Sequence, residues 1–299
     1  MPTDKKKEPI LPIIVSALYL YPIKSCSGIS LEVAEIGQRG IRGDRAFMVV
    51  DETGQFITQR QQPRMALIRP IVRKDGAIIL TAPNMPEISM VADDTGKRCE
   101  VKIWSDTCIG VDQGDAIAAW FSTFLEIACR VVYMPEDYVR QVDPRYATKE
   151  QDQVAFADGY PFLLVNEASL ADLNARMQEP LPVNRFRPNL VVQGTLPYVE
   201  DMWRKICIGQ IVFHIVEACE RCPITTTDQA TAVVGKEPLR TLVTYRRAQK
   251  GVIFGQNMIH AHEGFIRLGD AVEVVEKAAT PNFIPRVNYS GANRTDQCD

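Results

Sequence analysis

Phe47-Met48-Val49-Val50-Asp51-Glu52-Thr53-Gly54-Gln55-Phe56-Ile57-Thr58 is the stretch that settles the class of fold. Two runs of β-branched and aromatic residues flank Asp51-Glu52-Thr53-Gly54, a turn sequence ending in glycine, and this is a hairpin signal. Working outward, the same pattern recurs in Ile13-Ile14-Val15, in Ala66-Leu67-Ile68, and in Lys74-Asp75-Gly76 turning into Ala77-Ile78-Ile79-Leu80. Short apolar runs broken by Gly, Asp and Pro, from Ile13 to about Ile103, predict a first third that is mainly β. One helical stripe follows, with Ile117, Trp120, Phe121 and Phe124 at i, i+3, i+4 and i+7. It reads as core rather than as a cofactor box.

The segment 136–153 is polar, carries Asp143-Pro144, and predicts a linker or mobile loop. It divides the chain into a β-rich domain at 13–135 and a second domain at 136–277, with a loosely attached tail at 278–299. In the second domain Tyr160-Pro161-Phe162-Leu163-Leu164-Val165 reads as a strand, and Asn166-Glu167-Ala168-Ser169-Leu170 as a capped helix start. Strands resume at Asn189-Leu190-Val191-Val192 and at Ile211-Val212-Phe213-His214-Ile215-Val216, the latter ending just before a cysteine pair. Regular βαβ alternation is missing, which argues against a doubly wound sheet. The expected class is mainly β (α+β), an antiparallel barrel-like core with a few helices.

With 299 residues, 46% hydrophobic, the chain can bury a substantial core. A formal net charge of −3 gives no support for nucleic-acid binding, so any anion site must be local. Eight cysteines are too sparse for a disulfide scaffold, and with no signal peptide in view the expected location is the reducing cytoplasm. The apolar run from Ile10 to Tyr21 is interrupted by Pro12 and is too short to span a bilayer, so no membrane anchor is expected.

Chemistry concentrates at Cys219-Glu220-Arg221-Cys222-Pro223, which runs into Thr225-Thr226-Thr227-Asp228. Three readings stay open. Half a zinc site would need a second pair, and His260 and His262 are remote. A thioredoxin-like redox pair wants a helix after it, whereas Ile224-Thr225-Thr226-Thr227 suits a strand or turn. In the third, one thiolate ligates a redox metal beside a non-ligating neighbour, and Arg221 favours the ionised thiol. A second cluster is Lys24-Ser25 with Arg39-Gly40-Ile41-Arg42-Gly43-Asp44-Arg45, where glycines permit close approach and arginines offer forked donors to phosphate. Its plain reading is a solvated basic turn answering Glu32, Glu35 and Asp44. Arg185-Phe186-Arg187-Pro188-Asn189 adds two guanidiniums and an amide, and Asp158-Gly159-Tyr160-Pro161 reads as a turn entering a strand. The stretch from Tyr198 to Trp203, with Glu200 and Asp201, reads as an acidic surface turn.

Taken in order, Tyr21-Pro22-Ile23-Lys24-Ser25-Cys26, Gly43-Asp44-Arg45, Phe186-Arg187-Pro188-Asn189, Cys219-x-Arg221-Cys222 and Thr225-Thr226-x-Asp228 resemble the MOSC-domain molybdenum proteins. The likeness is strongest to the amidoxime-reducing branch, which reduces N-hydroxylated compounds. Lys236-Glu237-Pro238-Leu239, Tyr245-Arg246 and Phe254-Gly255-Gln256 extend it, over about Leu18 to Val275.

The resemblance implies a MOSC-type β-barrel preceded by a MOSC-associated β-rich domain. It implies a molybdenum cofactor (Mo-molybdopterin) with Cys222 as the metal's protein ligand and Cys219 as a non-ligating neighbour. Lys24, Ser25, Arg45, Arg187 and Asn189 would hold the pterin and its phosphate, and Asp158 would be an acidic catalytic position. Substrates would be small N-hydroxylated compounds, amidoximes and hydroxylamines. Glu220 stands where the mitochondrial proteins carry a small hydroxyl residue. Several bacterial relatives continue into a ferredoxin-like domain, whereas here Cys298 stands alone. Electrons are therefore expected from a separate ferredoxin-like protein or flavin reductase, with no haem, iron–sulfur cluster or pyridoxal phosphate in this chain. No G-x-G-x-x-G follows a strand, so direct hydride transfer from a nicotinamide is not expected. The alternative that uses the same residues is a molybdenum cofactor carrier without reductase turnover.

Overall fold

The computed structural model describes residues 12–249 and 251–281. The expected loose tail falls, beyond 281, outside the described residues. The β-rich pattern forms an eight-stranded sheet in the order Val272–Lys277, Trp203–Ile208, Ile211–Arg221, Val252–His260, Phe162–Asn166, Leu190–Gln193, Ile14–Leu20, Ile29–Leu31. Its far ends meet where Val15 N–H donates to Asp270 O (2.9 Å) and Val272 N–H to Ile13 O (2.8 Å), closing the sheet toward a barrel. Leu18, Phe162, Leu164, Phe213, Ile215 and Met258 fill its interior.

Within this sheet the pairing is antiparallel except between Phe162–Asn166 and Leu190–Gln193, which run parallel. Parallel neighbours need a crossover, and the helix Glu167–Ala175 supplies it. Asn166 caps that helix by accepting from Ala168 N–H, as its sequence predicts.

The first third builds a four-stranded sheet, Phe47–Val50, Arg130–Tyr133, Asp106–Asp112 and Arg98–Ile103, and a three-stranded sheet, Arg69–Val72, Ile78–Thr81 and Ile88–Met90. The helix Asp115–Leu125 packs Trp120, Phe121 and Phe124 against Phe47, Val49 and Ile68 as core.

Several local expectations differ from what forms. The turn at Asp51–Gly54 is present, with Gly54 N–H on Asp51 O at 3.0 Å, and the return is short: Phe56 bridges to Val50 and Ile57 N–H donates to Val49 O at 2.8 Å. Phe47–Val50 pairs instead with Arg130–Tyr133. Gln61 and Gln62 N–H both return to Thr58 O, so the chain turns inward and brings Arg60 to Cys222, at the edge of the cavity described below. Ala66-Leu67 lies in a 3-10 turn, Pro63–Leu67, because Pro63 presets the first helical φ. The segment 136–153 is irregular but fastened. Val142 N–H bonds Asp152 O, Val154 N–H bonds Arg140 O, and Val142 packs with Val154 and Ile259.

The strand beginning at Ile211 runs on to Arg221, through Cys219. Ile211, Phe213 and Ile215 face the barrel interior, and then register shifts occur at Ile215/Glu217 and Ala218/Glu220. A bulge changes which face a side chain takes. Ala218 becomes the buried residue, while Glu217, Cys219 and Arg221 line a cavity.

The supposed acidic surface turn is buried. Asp201 accepts from both terminal nitrogens of Arg246 (2.7 and 3.0 Å) and from Gln256 Nε2 at 2.7 Å. Glu200 accepts from Asn166 Nδ2 at 2.9 Å and Ser169 Oγ at 2.5 Å, tying the crossover helix to the parallel strands. The Asp201 and Arg246 side chains are only 7% and 6% exposed, so removing one leaves the other charge buried. Asp201→Ala is expected to cost about 3–5 kcal/mol of stability, read as a lower midpoint in urea or guanidinium unfolding.

Candidate active site

A cavity of about 1130 Å³ lies where the first-third turns meet the end of the strand Ile211–Arg221. Lys24, Arg45, Asp158, Arg187, Arg221 and Cys222 line it. Three of the expected residues, Ser25 (φ 68°), Arg45 (φ 48°) and Arg187 (φ 54°), adopt left-handed backbone, which is costly for side chains other than glycine and gathers at functional sites.

At one end two guanidiniums share one ring: Arg45 and Arg187 Cζ each stand 4.3 Å from the Tyr21 centroid. Arg45 is held by Asp44, by Asn189 Oδ1 at 3.0 Å and by Arg187 O at 3.2 Å. Arg187 donates to Cys26 O at 2.6 Å, and burial pulls its pKa down to about 10. Asn189 is fully buried; its Oδ1 also accepts from Leu163 N–H at 3.3 Å, and its Nδ2 donates to Tyr19 O at 3.3 Å. Its Oδ1 thus accepts from Arg45 and from the Leu163 backbone together.

Beside them Lys24 Nζ donates to Phe156 O at 2.7 Å and pairs closely with Asp158. Burial lowers the Lys24 pKa, and Asp158 opposes that shift. Burial pushes the Asp158 carboxyl up, but the Lys24 charge and hydrogen bond, with Arg60 and Trp104 adding, hold it well below the usual carboxylate range. Its side chain is still 52% exposed, because it faces the open cavity. Arg140 reaches back from the supposed loop to Ala155 O, Ala157 O and Asp158 O at 2.8, 2.6 and 3.3 Å, fixing this turn.

The two thiols have separate guanidinium partners. Arg221 Nη1 donates to Cys219 Sγ at 3.0 Å, and its Nη2 donates to Phe186 O at 2.8 Å. Burial pushes the Cys219 thiol up, with Arg221 opposing. Cys222 Sγ instead accepts from Arg60 Nη2 at 3.1 Å. The expectation that Arg221 serves the reactive thiolate is therefore corrected: Arg221 holds the neighbour. After Cys222 the chain enters a 3-10 turn, Pro223–Thr226, opened by proline. Thr225 and Thr226 hydroxyls bond Cys222 O and Pro223 O at 3.0 and 2.7 Å, so they set the turn and do not line the site as donors.

Half of the basic glycine cluster stands apart from the cavity. Arg42 pairs with Glu35 at 2.8 Å in solvent, and Arg39 binds Pro135 O and Glu136 O at 2.9 and 3.1 Å. Gly40 (φ 104°) packs its backbone on Pro161, where a Cβ would meet the proline at 3.0 Å. Asp228 pairs with Arg185 at 3.3 Å. Arg60, Arg140 and Trp104 were not singled out in the sequence. Arg60 sits in the polar run Thr58-Gln59-Arg60-Gln61-Gln62, and nothing in that run marks it.

The side chains present fit a phosphorylated, sulfur-rich metal cofactor. One end offers clustered cations for phosphate and the other the Cys222 thiol, with Cys219 beside it on Arg221. Arg60 Nη1, Arg221 Nε and the Tyr21 hydroxyl are buried with no hydrogen-bond partner among the described residues. Each charge-assisted contact to an anion contributes about 1.5–3 kcal/mol. Among the described residues no three His, Cys, Asp or Glu side chains gather as a metal-ligating cluster, so a zinc set is not assembled there.

The sequence matches the MOSC N-terminal beta barrel domain over residues 13–128 and the MOSC domain over residues 151–273. Mitochondrial amidoxime-reducing component 1 of Mus musculus is 37% identical over 278 residues, covering 86% of this chain and 81% of that protein. This chain belongs to the MOSC family. Mitochondrial amidoxime reducing component 2 of Bos taurus (36% identical, 86% and 82% covered) and component 1 of Homo sapiens (34%, 86% and 82%) align over 276 residues each. The YuaD protein of Bacillus subtilis overlays with a TM-score of 0.39 at 11% identity, covering 88% of this chain and 95% of that one, too loosely to bear on the site. Membership of the MOSC family supports a molybdenum-cofactor-related function.

The shared tyrosine gives a test. Tyr21→Phe removes only an unpartnered hydroxyl and should change stability by less than about 1 kcal/mol and leave cofactor content intact. Tyr21→Ala should cost about 3–5 kcal/mol and lower the phosphorus bound per chain, measured by elemental analysis of protein made in a cofactor-producing host.

Proposed function

We propose that this protein is a molybdenum-cofactor-dependent reductase of N-hydroxylated compounds, with the Cys222 thiolate ligating the metal and electrons supplied by a separate redox protein. The observation that carries the reading is Cys222 opening into the same cavity as the Arg45–Tyr21–Arg187 stack. A soft thiolate at one end and phosphate-type donors at the other match the two ends of a dithiolene pterin. The relatives' names, amidoxime-reducing components, point to the same substrate class.

Bound there, the molybdenum cofactor supplies two-electron redox chemistry. The chain's own residues hold and aim. Lys24, Arg45 and Arg187 would take the phosphate and pterin oxygens, with Asn189 and Asp44 fixing Arg45. Ser25 keeps its left-handed turn at the cavity while its carbonyl accepts from Gln59 at 2.7 Å. The net reaction consumes two electrons and two protons, converting an amidoxime to an amidine and water, and the open cavity admits protons from solvent. We propose the cytoplasm, a reducing compartment, as its location.

Asp158 is better suited to anchoring than to giving a proton. Its folded pKa lies below the ordinary 3.8, so its charged form persists above that value and is lost only as pH falls through the lower folded one. Turnover is expected to show no acid limb from Asp158 between about pH 5 and 8. Asp158→Asn should lower kcat by a similar factor across that range, and a limb that vanishes in the variant would overturn this role. Cys222→Ala, loaded in the same host, should lose bound molybdenum and benzamidoxime reduction together. Unchanged metal content would remove Cys222 as the ligand.

A further inference from the structure

Arg60 belongs to none of the motifs, yet it stands at the thiol. Its Nη2 donates to Cys222 Sγ at 3.1 Å and faces Asp158 Oδ2 at 3.5 Å, the outer limit of a hydrogen bond. Its Nη1 is buried with no partner among the described residues. A guanidinium carries five N–H donors. With one thiol, one distant carboxylate and one empty nitrogen, this one is under-satisfied, although 19% of the side chain remains open.

The cation is also braced. Arg60 Cζ stands 4.7 Å from the Trp104 ring centroid, and Trp104 meets Phe56 edge-on at 5.1 Å. Trp104 occupies the tight turn between Arg98–Ile103 and Asp106–Asp112 with φ 53°, a strained backbone that its surroundings must hold. A donor fixed in this way, beside Cys222 and with Nη1 unmatched, is arranged to receive an oxygen that gains charge.

We propose that Arg60 is the group that binds the oxygen of the substrate's N–OH and stabilises it as the N–O bond breaks, with Trp104 as its positioning residue. This rests on the reductase reading. The N–O electron pair passes to oxygen, two electrons come from the reduced donor protein, and two protons from solvent complete water and the N–H product. Trp104 also places an aromatic wall, 54% exposed, beside that oxygen site.

The test uses molybdenum-loaded wild type, Arg60→Ala, Arg60→Lys and Trp104→Ala with benzamidoxime. Arg60→Ala is expected to lower kcat by about 100-fold, with molybdenum and phosphorus per chain at the wild-type level and partial rescue by added guanidinium ion. Arg60→Lys keeps the charge without the planar fork and should fall between. Trp104→Ala should lower kcat less than Arg60→Ala while retaining metal. Full kcat in Arg60→Ala overturns the proposal. So does metal loss in proportion to activity, which would make Arg60 a cofactor-holding residue. Should wild type bind benzamidoxime in calorimetry without reducing it, the reductase reading fails separately. Arg60→Ala must then still bind the amidoxime about tenfold more weakly, and equal affinity overturns the assignment.

Discussion

Positive charge gathered around one cavity is the constraint from which the rest of this structure follows. Lys24, Arg45, Arg187 and Arg221 line a single cavity and Arg60 reaches Cys222 at its edge, in a protein whose formal net charge is −3. Among the described residues only Asp44 and Asp158 answer them by ion pairing. The remainder is met by carbonyls and ring faces: Cys26 O and Tyr21 for Arg187, Phe186 O and its ring for Arg221, Trp104 for Arg60. Carbonyl and π contacts stabilise a guanidinium while leaving its charge in place. The cations met by carbonyls and rings keep their attraction for an anion, although Asp106, Asp143, Glu217 and Glu220 also line the cavity.

Holding such a cluster needs rigid backbone from several parts of the chain. Left-handed residues at Ser25, Arg45 and Arg187 each aim a side chain that regular strand geometry would send elsewhere. The two register shifts in Ile211–Arg221 serve the same end, turning Glu217, Cys219 and Arg221 toward the cavity while Ala218 packs with Ala248 and Ile253. The Asp201–Arg246–Gln256 knot secures the strand opposite, Val252–His260, to the turn Val199–Met202. Local strain at the cavity is thus supported by buried polar contacts away from it.

The elements legible in the sequence were those whose signal is local. The Trp120–Phe124 stripe, the Asn166 cap and the Asp51–Gly54 turn are each specified within a few residues, and each forms. Lys24, Arg45, Arg187 and Cys222 were legible through resemblance, and the fold brings them to one cavity. What failed depends on distant partners. Glu200 and Asp201 look like solvated acids until Arg246 and Asn166 arrive from 45 and 34 positions away. Arg39 and Arg42 look like phosphate donors, but Glu35 and the carbonyls of Pro135 and Glu136 already hold them. Arg60 meets Cys222 across 162 residues, a separation over which no spacing rule operates.

The cysteine pair shows how far such partners change a motif's meaning. In sequence Cys219 and Cys222 are equivalent and Arg221 lies between them. In the fold Arg221 turns back onto Cys219, and burial pushes that thiol up while Arg221 opposes the shift. Cys222 lies past the end of the strand, where Pro223 starts a turn and the Thr225 hydroxyl fixes its carbonyl. Its sulfur therefore faces the cavity with a guanidinium contributed by the first third of the chain. Two chemically identical thiols are made unequal by where the strand stops and by which arginine each one meets, and a site that needs a single thiolate ligand requires that inequality.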